Sequence, residues 1–124
     1  MLDHVTLNVS NAAKAKQFYT KALQPLGYSL SKEYDGGFDI GVDGESSIWA
    51  QQAKVERPAH LSIRAEDREQ VDAFYRSALA AGGKDNGKPG IREKYASDYY
   101  AAFVLDPDGN NVEAVCHGSM KRTN

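Results

Sequence analysis

The 124-residue sequence repeats itself, and this repeat constrains the fold more than any other feature. At a shift of 56 residues, six of the 24 pairs from His4/His60 to Gly27/Gly83 are identical, where composition alone would give about one or two. The identical pairs are His4/His60, Phe18/Phe74, Tyr19/Tyr75, Ala22/Ala78, Leu23/Leu79 and Gly27/Gly83. A shared helical pattern does not require the same histidine upstream of both helices. We therefore interpret the chain as a tandem duplication.

Each copy predicts one strand, one helix and three further strands. Residues 4–9 and 60–65 alternate between polar and apolar side chains, as strands with one buried face do. The following helices carry apolar residues at i, i+3, i+4, i+7 and i+8. A hairpin then closes each copy, around Asp43-Gly44 in the first and Asp106-Pro-Asp-Gly109 in the second.

We predict an α+β fold built from two tandem βαβββ modules, residues 1–57 and 58–124, which together form one compact domain. Their curved mixed sheets are expected to form a half-barrel cup with the helices outside. The second module has about nine more residues than the first between its helix and its last turn, and we expect them to form a loop within residues 84–98.

Composition excludes several classes of function. Fifteen Lys and Arg against seventeen Asp and Glu give a net charge of -2, so no global basic field would hold nucleic acid or an anionic membrane. The longest apolar run, Tyr99–Leu105, is far shorter than the roughly 20 residues of a membrane-spanning helix. The single cysteine excludes an intrachain disulfide, and residues 1–10 do not resemble a signal peptide, so we predict a cytoplasmic protein.

The strand that opens each module has one polar face. A helix covers only one side of a strand, so the apolar residues should pack on the helices and leave His4 and His60 on the opposite, concave side. Glu113 alternates onto the same side of the last strand. Two imidazoles and one carboxylate can bind Fe, Mn, Zn, Ni or Co ions and leave positions open for substrate. His117 would lie roughly 13 Å from Glu113 along the strand, too far to bind the same ion.

These features resemble the vicinal oxygen chelate superfamily, which includes glyoxalase I, extradiol dioxygenases, fosfomycin resistance enzymes and bleomycin resistance proteins. The resemblance covers almost the whole chain. It rests on His4-Val-Thr-Leu-Asn-Val9, on His60-Leu-Ser-Ile-Arg64, on the Phe-Tyr helices, and on Leu105-Asp-Pro-Asp-Gly-Asn-Asn-Val-Glu-Ala114. It implies paired βαβββ modules and a divalent metal ion held by His4, His60 and Glu113, with substrate oxygens chelating the ion.

One departure from the family pattern concerns the reaction. Glyoxalase I has a fourth ligand in the first module, and the repeat places Trp49, which cannot bind a metal, at that position. Gln51 lies on the same face but about 6.6 Å further along the strand. Fosfomycin thiol transferases share the three ligands, but Lys94-Tyr-Ala-Ser-Asp-Tyr-Tyr100 replaces the potassium-binding loop expected of them. Isomerisation, thiol addition and oxygenation all remain open as reaction types.

Our leading hypothesis is a metal-dependent enzyme in which Glu113 is a ligand that doubles as a catalytic base. The predicted substrate-binding residues are Thr6, Trp49, Gln51, Ser62, Arg92, Tyr95, Tyr99 and Phe103. Among them, Arg92 and Tyr95 belong to the expected loop, whose excess of basic residues suits an acidic or polar ligand. The alternative is a non-catalytic small-molecule or antibiotic-binding protein of the bleomycin resistance type.

The family resemblance also implies a homodimer. In such a dimer, module one of one subunit and module two of the other complete each cup. Pairing of the two modules within one chain is the alternative.

Overall fold

The computed structural model describes residues 1–118, which contain two α-helices and eight strands. The strands form two four-stranded sheets. The elements are β1 (Val5–Val9), α1 (Ala12–Ala22), β2 (Tyr28–Tyr34), β3 (Gly37–Val42), β4 (Ile48–Gln52), β5 (His60–Arg64), α2 (Arg68–Ala80), β6 (Lys84–Ile91), β7 (Tyr99–Leu105) and β8 (Asn111–His117). A short 3-10 helix, Gln24–Leu26, follows α1. The predicted α+β fold of paired βαβββ modules is confirmed. Residues 119–124 of the predicted second module lie outside the described residues.

The two sheets have the same topology. The first has the strand order β1-β4-β3-β2 and the second β5-β8-β7-β6. In each sheet the opening strand pairs in parallel with the last strand of its module, whereas the other neighbours are antiparallel. Both sheets are therefore mixed and unclosed, and β1, which follows His4, and β5, which begins at His60, are edge strands.

Side-chain caps start both helices. The Asn11 side chain accepts a hydrogen bond from the backbone of Lys14, and Asp67 accepts one from the backbone of Gln70. Gln70 in turn accepts from the backbone of Glu66. These contacts satisfy amide groups that lack a partner within the first helical turn, and they define where the two helices begin.

The core lies on the helix side of both sheets. Its large buried side chains include Phe18 and Tyr19 of α1 and Phe74 of α2, packed against apolar residues of the strands. At Gly83 an added Cβ would lie 2.4 Å from Val104 Cγ1 and 2.8 Å from Phe18 Cε1, so the two modules meet closely there. The opposite face of each sheet, here called the cup face, is left to the polar residues of the strands.

The expected loop at residues 84–98 is shorter than the sequence suggested. Residues Lys84–Ile91 form β6 and pair with β7, with register shifts between Asp85 and Gly87 and between Gly87 and Gly90. The glycines and Pro89 give this stretch a low intrinsic preference for strand structure. Hydrogen bonding to β7 nevertheless holds it in a strand. Only the segment between Ile91 and Tyr99 remains outside the strands.

In the part of the chain that the structure describes, no helix has the length and apolar character needed to cross a membrane.

Candidate functional site

Module two brings a histidine and a carboxylate into contact on its cup face. The Nε2 atom of His60 lies 2.8 Å from Oε1 of Glu113. Ser62 is opposite Glu113 in the β5–β8 ladder, and Phe103 is opposite Glu113 in the β7–β8 ladder. Glu113 is only 1% exposed, so the sheet and its neighbours hold this carboxylate almost entirely away from water.

Tyr99 fixes the second oxygen of that carboxylate. Its hydroxyl donates a short hydrogen bond to Oε2 of Glu113. Burial, together with the hydrogen bond to Glu113 and the charge of Glu113, raises the pKa of the Tyr99 hydroxyl to about 12, and Ser62 acts in the opposite direction. The hydroxyl therefore remains a donor at neutral pH. Tyr99 is one of the predicted substrate-binding residues, and in this structure its hydroxyl is hydrogen-bonded to Glu113.

Aromatic rings surround the tyrosine. The rings of Tyr95 and His117 lie 4.9 and 5.3 Å from the Tyr99 ring, between centroids. His117 thus lies next to Tyr99. The ring of His60 lies 6.3 Å from that of Phe103.

Module one has a histidine and a tryptophan on its cup face. The rings of His4 and Trp49 stack with a centroid distance of 3.3 Å and an angle of 10°. Asp3 lies 2.8 Å from Nδ1 of His4. A carboxylate in this place favours the tautomer with hydrogen on Nδ1, which leaves Nε2 as the free, metal-binding nitrogen.

The register agrees with the repeat-based alignment of Trp49 and Glu113. Thr6 pairs with Trp49 in the β1–β4 ladder, as Ser62 pairs with Glu113 in the β5–β8 ladder. Gln51 donates to the side chain of Asn8 at 2.8 Å. Trp49 therefore occupies in module one the position that Glu113 occupies in module two, and Gln51 makes a contact within its own sheet.

Three of the predicted substrate-binding residues, Arg92, Tyr95 and Phe103, line one cleft close to His60. The cleft has a volume of about 250 Å³ and is lined by Asn86, Gly87, Arg92, Lys94, Tyr95, Phe103 and Asn111. The guanidinium carbon of Arg92 lies 5.3 Å from the centre of the Phe103 ring, and Nζ of Lys94 lies 5.1 Å from that of Tyr95. Two cations and no carboxylate line this cleft, so its chemistry suits an anionic group.

The pair His60 and Glu113 fits part of a divalent-metal site. Two donor atoms at about 2.1 Å from an ion and at right angles to each other are about 3.0 Å apart, close to the 2.8 Å between these two side chains. His4 does not join them within the chain. Among residues 1–118, no group of three or more His, Cys, Asp or Glu side chains is arranged to hold a metal ion.

Sequence reasoning missed two residues on the cup face of module one. Asp39 is 5% exposed and lies opposite Trp49 in the β3–β4 ladder. The Tyr34 hydroxyl donates to Oδ1 of Asp39 at 2.8 Å. The available sequence signal was the alternation Phe38-Asp39-Ile40, which places a carboxylate between two core residues of β3.

Comparisons with known proteins point to one family. The family model described as Glyoxalase/Bleomycin resistance protein/Dioxygenase superfamily matches residues 1–114. The chain is 27% identical over 116 residues to "Metallothiol transferase FosB" of Shouchella clausii (strain KSM-K16), a match that covers 90% of this chain and 77% of that protein.

Solved structures show the same fold. A glyoxalase/bleomycin resistance protein from Albidiferax ferrireducens T118 matches with a TM-score of 0.77 and 26% identity, covering 93% of this chain and 97% of that one. A glyoxalase-related enzyme from Fulvimarina pelagi matches with a TM-score of 0.75 and 16% identity, covering 94% and 88% of the two chains.

Proposed function

Because the chain belongs to the Glyoxalase/Bleomycin resistance protein/Dioxygenase superfamily, we propose that it is a divalent-metal-dependent enzyme acting on a small substrate with two neighbouring oxygen atoms. The observation that carries the proposal is the 2.8 Å contact between His60 and Glu113. A buried carboxylate oriented by a tyrosine and placed against an imidazole is a costly arrangement for a surface that only needs to be polar.

The proposed ligands are His4, His60 and Glu113. Since one chain does not bring His4 to the other two, we propose a homodimer in which the partner subunit's His4 completes the set. The free Nε2 of His4 and its fixed ring orientation support this role.

When bound, the ion would supply Lewis acidity for the negative charge that develops on a substrate oxygen. The chain itself supplies orientation. Tyr99 holds Oε2 of Glu113, which leaves Oε1 directed toward His60. Glu113 is also the group proposed to accept a proton from the substrate, through Oε1, because Tyr99 holds Oε2.

The cleft at Arg92 and Lys94 is the proposed binding site for an anionic part of the substrate, with Tyr95 and Phe103 as its walls. Thr6, Ser62 and Trp49 are proposed to line the remainder of the cup. The 27% identity to a metallothiol transferase makes thiol transfer the first reaction to test, before isomerisation and oxygenation. We place the activity in the cytoplasm.

Metal content tests the proposal directly. The wild-type protein, dialysed against Mn, Fe, Co, Ni or Zn and analysed by plasma mass spectrometry, is expected to retain one ion per cup. His60→Ala and Glu113→Gln should lose it, because two remaining protein ligands bind a divalent ion too weakly to compete with buffer. His117→Ala is the matched control, and it should retain the metal.

The loaded protein would then be assayed with thiol acceptors, hemithioacetals and catechols, one group for each reaction type. A wild-type protein that binds none of the five metals would overturn the enzyme proposal and favour the non-catalytic binding protein. Unchanged metal content in His60→Ala would show that the ligands are elsewhere.

A further inference from the structure

The cup face of module one carries a carboxylate with no assigned role. Asp39 lies between Phe38 and Ile40, both buried in the core, so strand alternation turns its side chain to the cup face. Its repeat-equivalent in module two is Phe103, since Asp39 opposes Trp49 as Phe103 opposes Glu113. In module one the acid lies on β3 and the aromatic residue on β4, whereas in module two the aromatic residue lies on β7 and the acid on β8. The two cup faces therefore differ in chemistry.

Asp39 is nearly covered but lacks a cationic partner. Within residues 1–118, no ion pair within 4.0 Å involves its carboxylate, although Lys32 opposes it in the β2–β3 ladder. Its one side-chain hydrogen bond in the described chain comes from Tyr34 and occupies Oδ1. Covered carboxylates in proteins are normally paired, so this one is suited to a partner from outside the chain.

The second oxygen of Asp39 is without a partner in the described residues and is not fully buried. Among the buried side-chain polar atoms of the described residues, only Nε of Arg68 lacks a hydrogen-bond partner. Oδ2 of Asp39 has no partner in residues 1–118 and is not among these fully buried atoms, so a small part of it is accessible although the residue is 5% exposed. A ligand on the cup face can therefore contact this oxygen.

Two aromatic rings adjoin the carboxylate. Trp49, its neighbour across the ladder, is 36% exposed, although His4 stacks on the indole. Tyr34, which donates to Asp39, is 44% exposed. Aromatic faces attract organic cations, and a carboxylate next to such faces adds charge complementarity.

We propose that Asp39, Tyr34 and Trp49 form a binding site for an organic cation, an alkylammonium group, on the cup face of module one. The inference rests on the proposed function only in that this face lines the substrate cup. Asp39 is then a specificity-determining residue, because it selects ligands that carry a positive charge.

Fluorescence can test this site without any metal. Trp49 is the only tryptophan in the sequence, so intrinsic emission reports on it directly. The full-length protein in EDTA is titrated with choline and, separately, with 3,3-dimethylbutan-1-ol, in which carbon replaces the charged nitrogen. Choline is expected to give a saturable change in emission, whereas the neutral compound gives none at the same concentrations.

Asp39→Asn keeps the shape of the side chain and removes its charge. It should raise the Kd for choline at least about tenfold, because loss of a desolvated charge contact costs that much or more. Asp35→Asn is the matched control. Asp35 is an exposed carboxylate in the adjacent turn, and its loss should leave the Kd unchanged. Far-UV circular dichroism verifies that both variants are folded.

Three results would overturn the inference: no saturable response to choline, equal affinity for choline and its neutral analogue, or the same Kd in Asp39→Asn and wild type. A changed sedimentation coefficient in Asp39→Asn with unchanged choline binding would instead assign Asp39 to a subunit contact. Because EDTA is present throughout, these results are independent of the metal measurements, and either proposal can fail alone.

Discussion

At the scale of single residues, the hydroxyl of Tyr99 determines how Glu113 can act. A carboxylate group can rotate about the bond that joins it to the rest of the side chain unless one of its two oxygens is held in place. The hydrogen bond from Tyr99 to Oε2 removes that freedom and leaves Oε1 toward His60. Removing a group that orients a metal ligand in this way commonly weakens metal binding about 10- to 100-fold.

We therefore predict that Tyr99→Phe lowers metal affinity about 10- to 100-fold while the fold is retained. Phenylalanine keeps the ring packed against Tyr95 and His117 but cannot donate to Glu113. Competition with a fluorescent chelator would measure the affinity. Tyr95→Phe is a suitable control because it removes a hydroxyl that makes no side-chain hydrogen bond with Glu113 in the described chain. Equal affinities in both variants would contradict the orienting role.

The raised pKa values of two tyrosine hydroxyls predict how the stability of the protein depends on pH. Burial, then hydrogen bonds to Glu113 and Asp72, raise the pKa of Tyr99 and Tyr100, each to about 12 from the ordinary value of 10.0. Between these values the folded protein keeps protons that the unfolded chain releases. Stability from these two groups is thus fully present below pH 10 and is lost as the pH rises toward 12.

Urea unfolding at a series of pH values between 8 and about 11.5 would measure this loss. The expected result is a falling free energy of unfolding above about pH 10, with a shallower fall in Tyr99→Phe. A free energy that stays constant up to pH 11.5 would contradict the raised pKa values.

At the scale of elements, the turn between β7 and β8 joins the two modules. The buried carboxylate of Asp106 accepts from the backbone amides of Asp108 and Asn110 and from the Asn110 side chain. It also accepts from the hydroxyl of Tyr19 in α1, at 2.5 Å. The Asp-Pro-Asp-Gly-Asn string is therefore more than a hairpin turn, because its first residue links module two to the helix of module one.

Asp106→Ala is expected to lower the free energy of unfolding by about 3 kcal/mol, because several buried donors lose a charged acceptor at once. Asp106→Asn, which keeps one acceptor oxygen, should cost less. Chemical denaturation of both variants provides the measurement, with the exposed Asp35→Ala expected to stay within about 0.5 kcal/mol of wild type. Similar values for Asp106→Ala and Asp35→Ala would show that the link contributes little.

At the scale of the whole molecule, the separation of His4 from His60 and Glu113 predicts a site shared between subunits. Two inactive variants should then complement each other. His4→Ala supplies an intact His60 and Glu113, and His60→Ala supplies an intact His4, so a mixed dimer contains one complete ligand set and one doubly defective set.

When equal amounts of the two variants are unfolded together and refolded, about half of the dimers should be mixed, and about a quarter of the wild-type metal content should return. Each variant refolded alone should bind none. Sedimentation equilibrium establishes the dimer independently. A 13.6 kDa species at micromolar concentration, or no metal in the mixture, would contradict a shared site.

The sequence by itself determined the architecture of this protein, because repeats, strand alternation and helical periodicity are local patterns. The repeat of His4 at His60 indicated two modules, and the caps at Asn11 and Asp67 set where the helices begin. Alternation also placed Glu113 and His60 on one face of their sheet. The local sequence pattern predicted a loop where the structure has β6, because pairing with β7 outweighs the low strand propensity of that segment.

Only the tertiary structure decided which polar groups meet. The contacts of Glu113 with Tyr99, of Asp39 with Tyr34 and of Asp106 with Tyr19 depend on strand register and on helix packing. Such contacts join residues whose separation along the chain follows no fixed period, up to 87 positions for Tyr19 and Asp106. Side-chain pattern reports the face on which a residue lies, whereas the partner on that face is set by how separate elements pack.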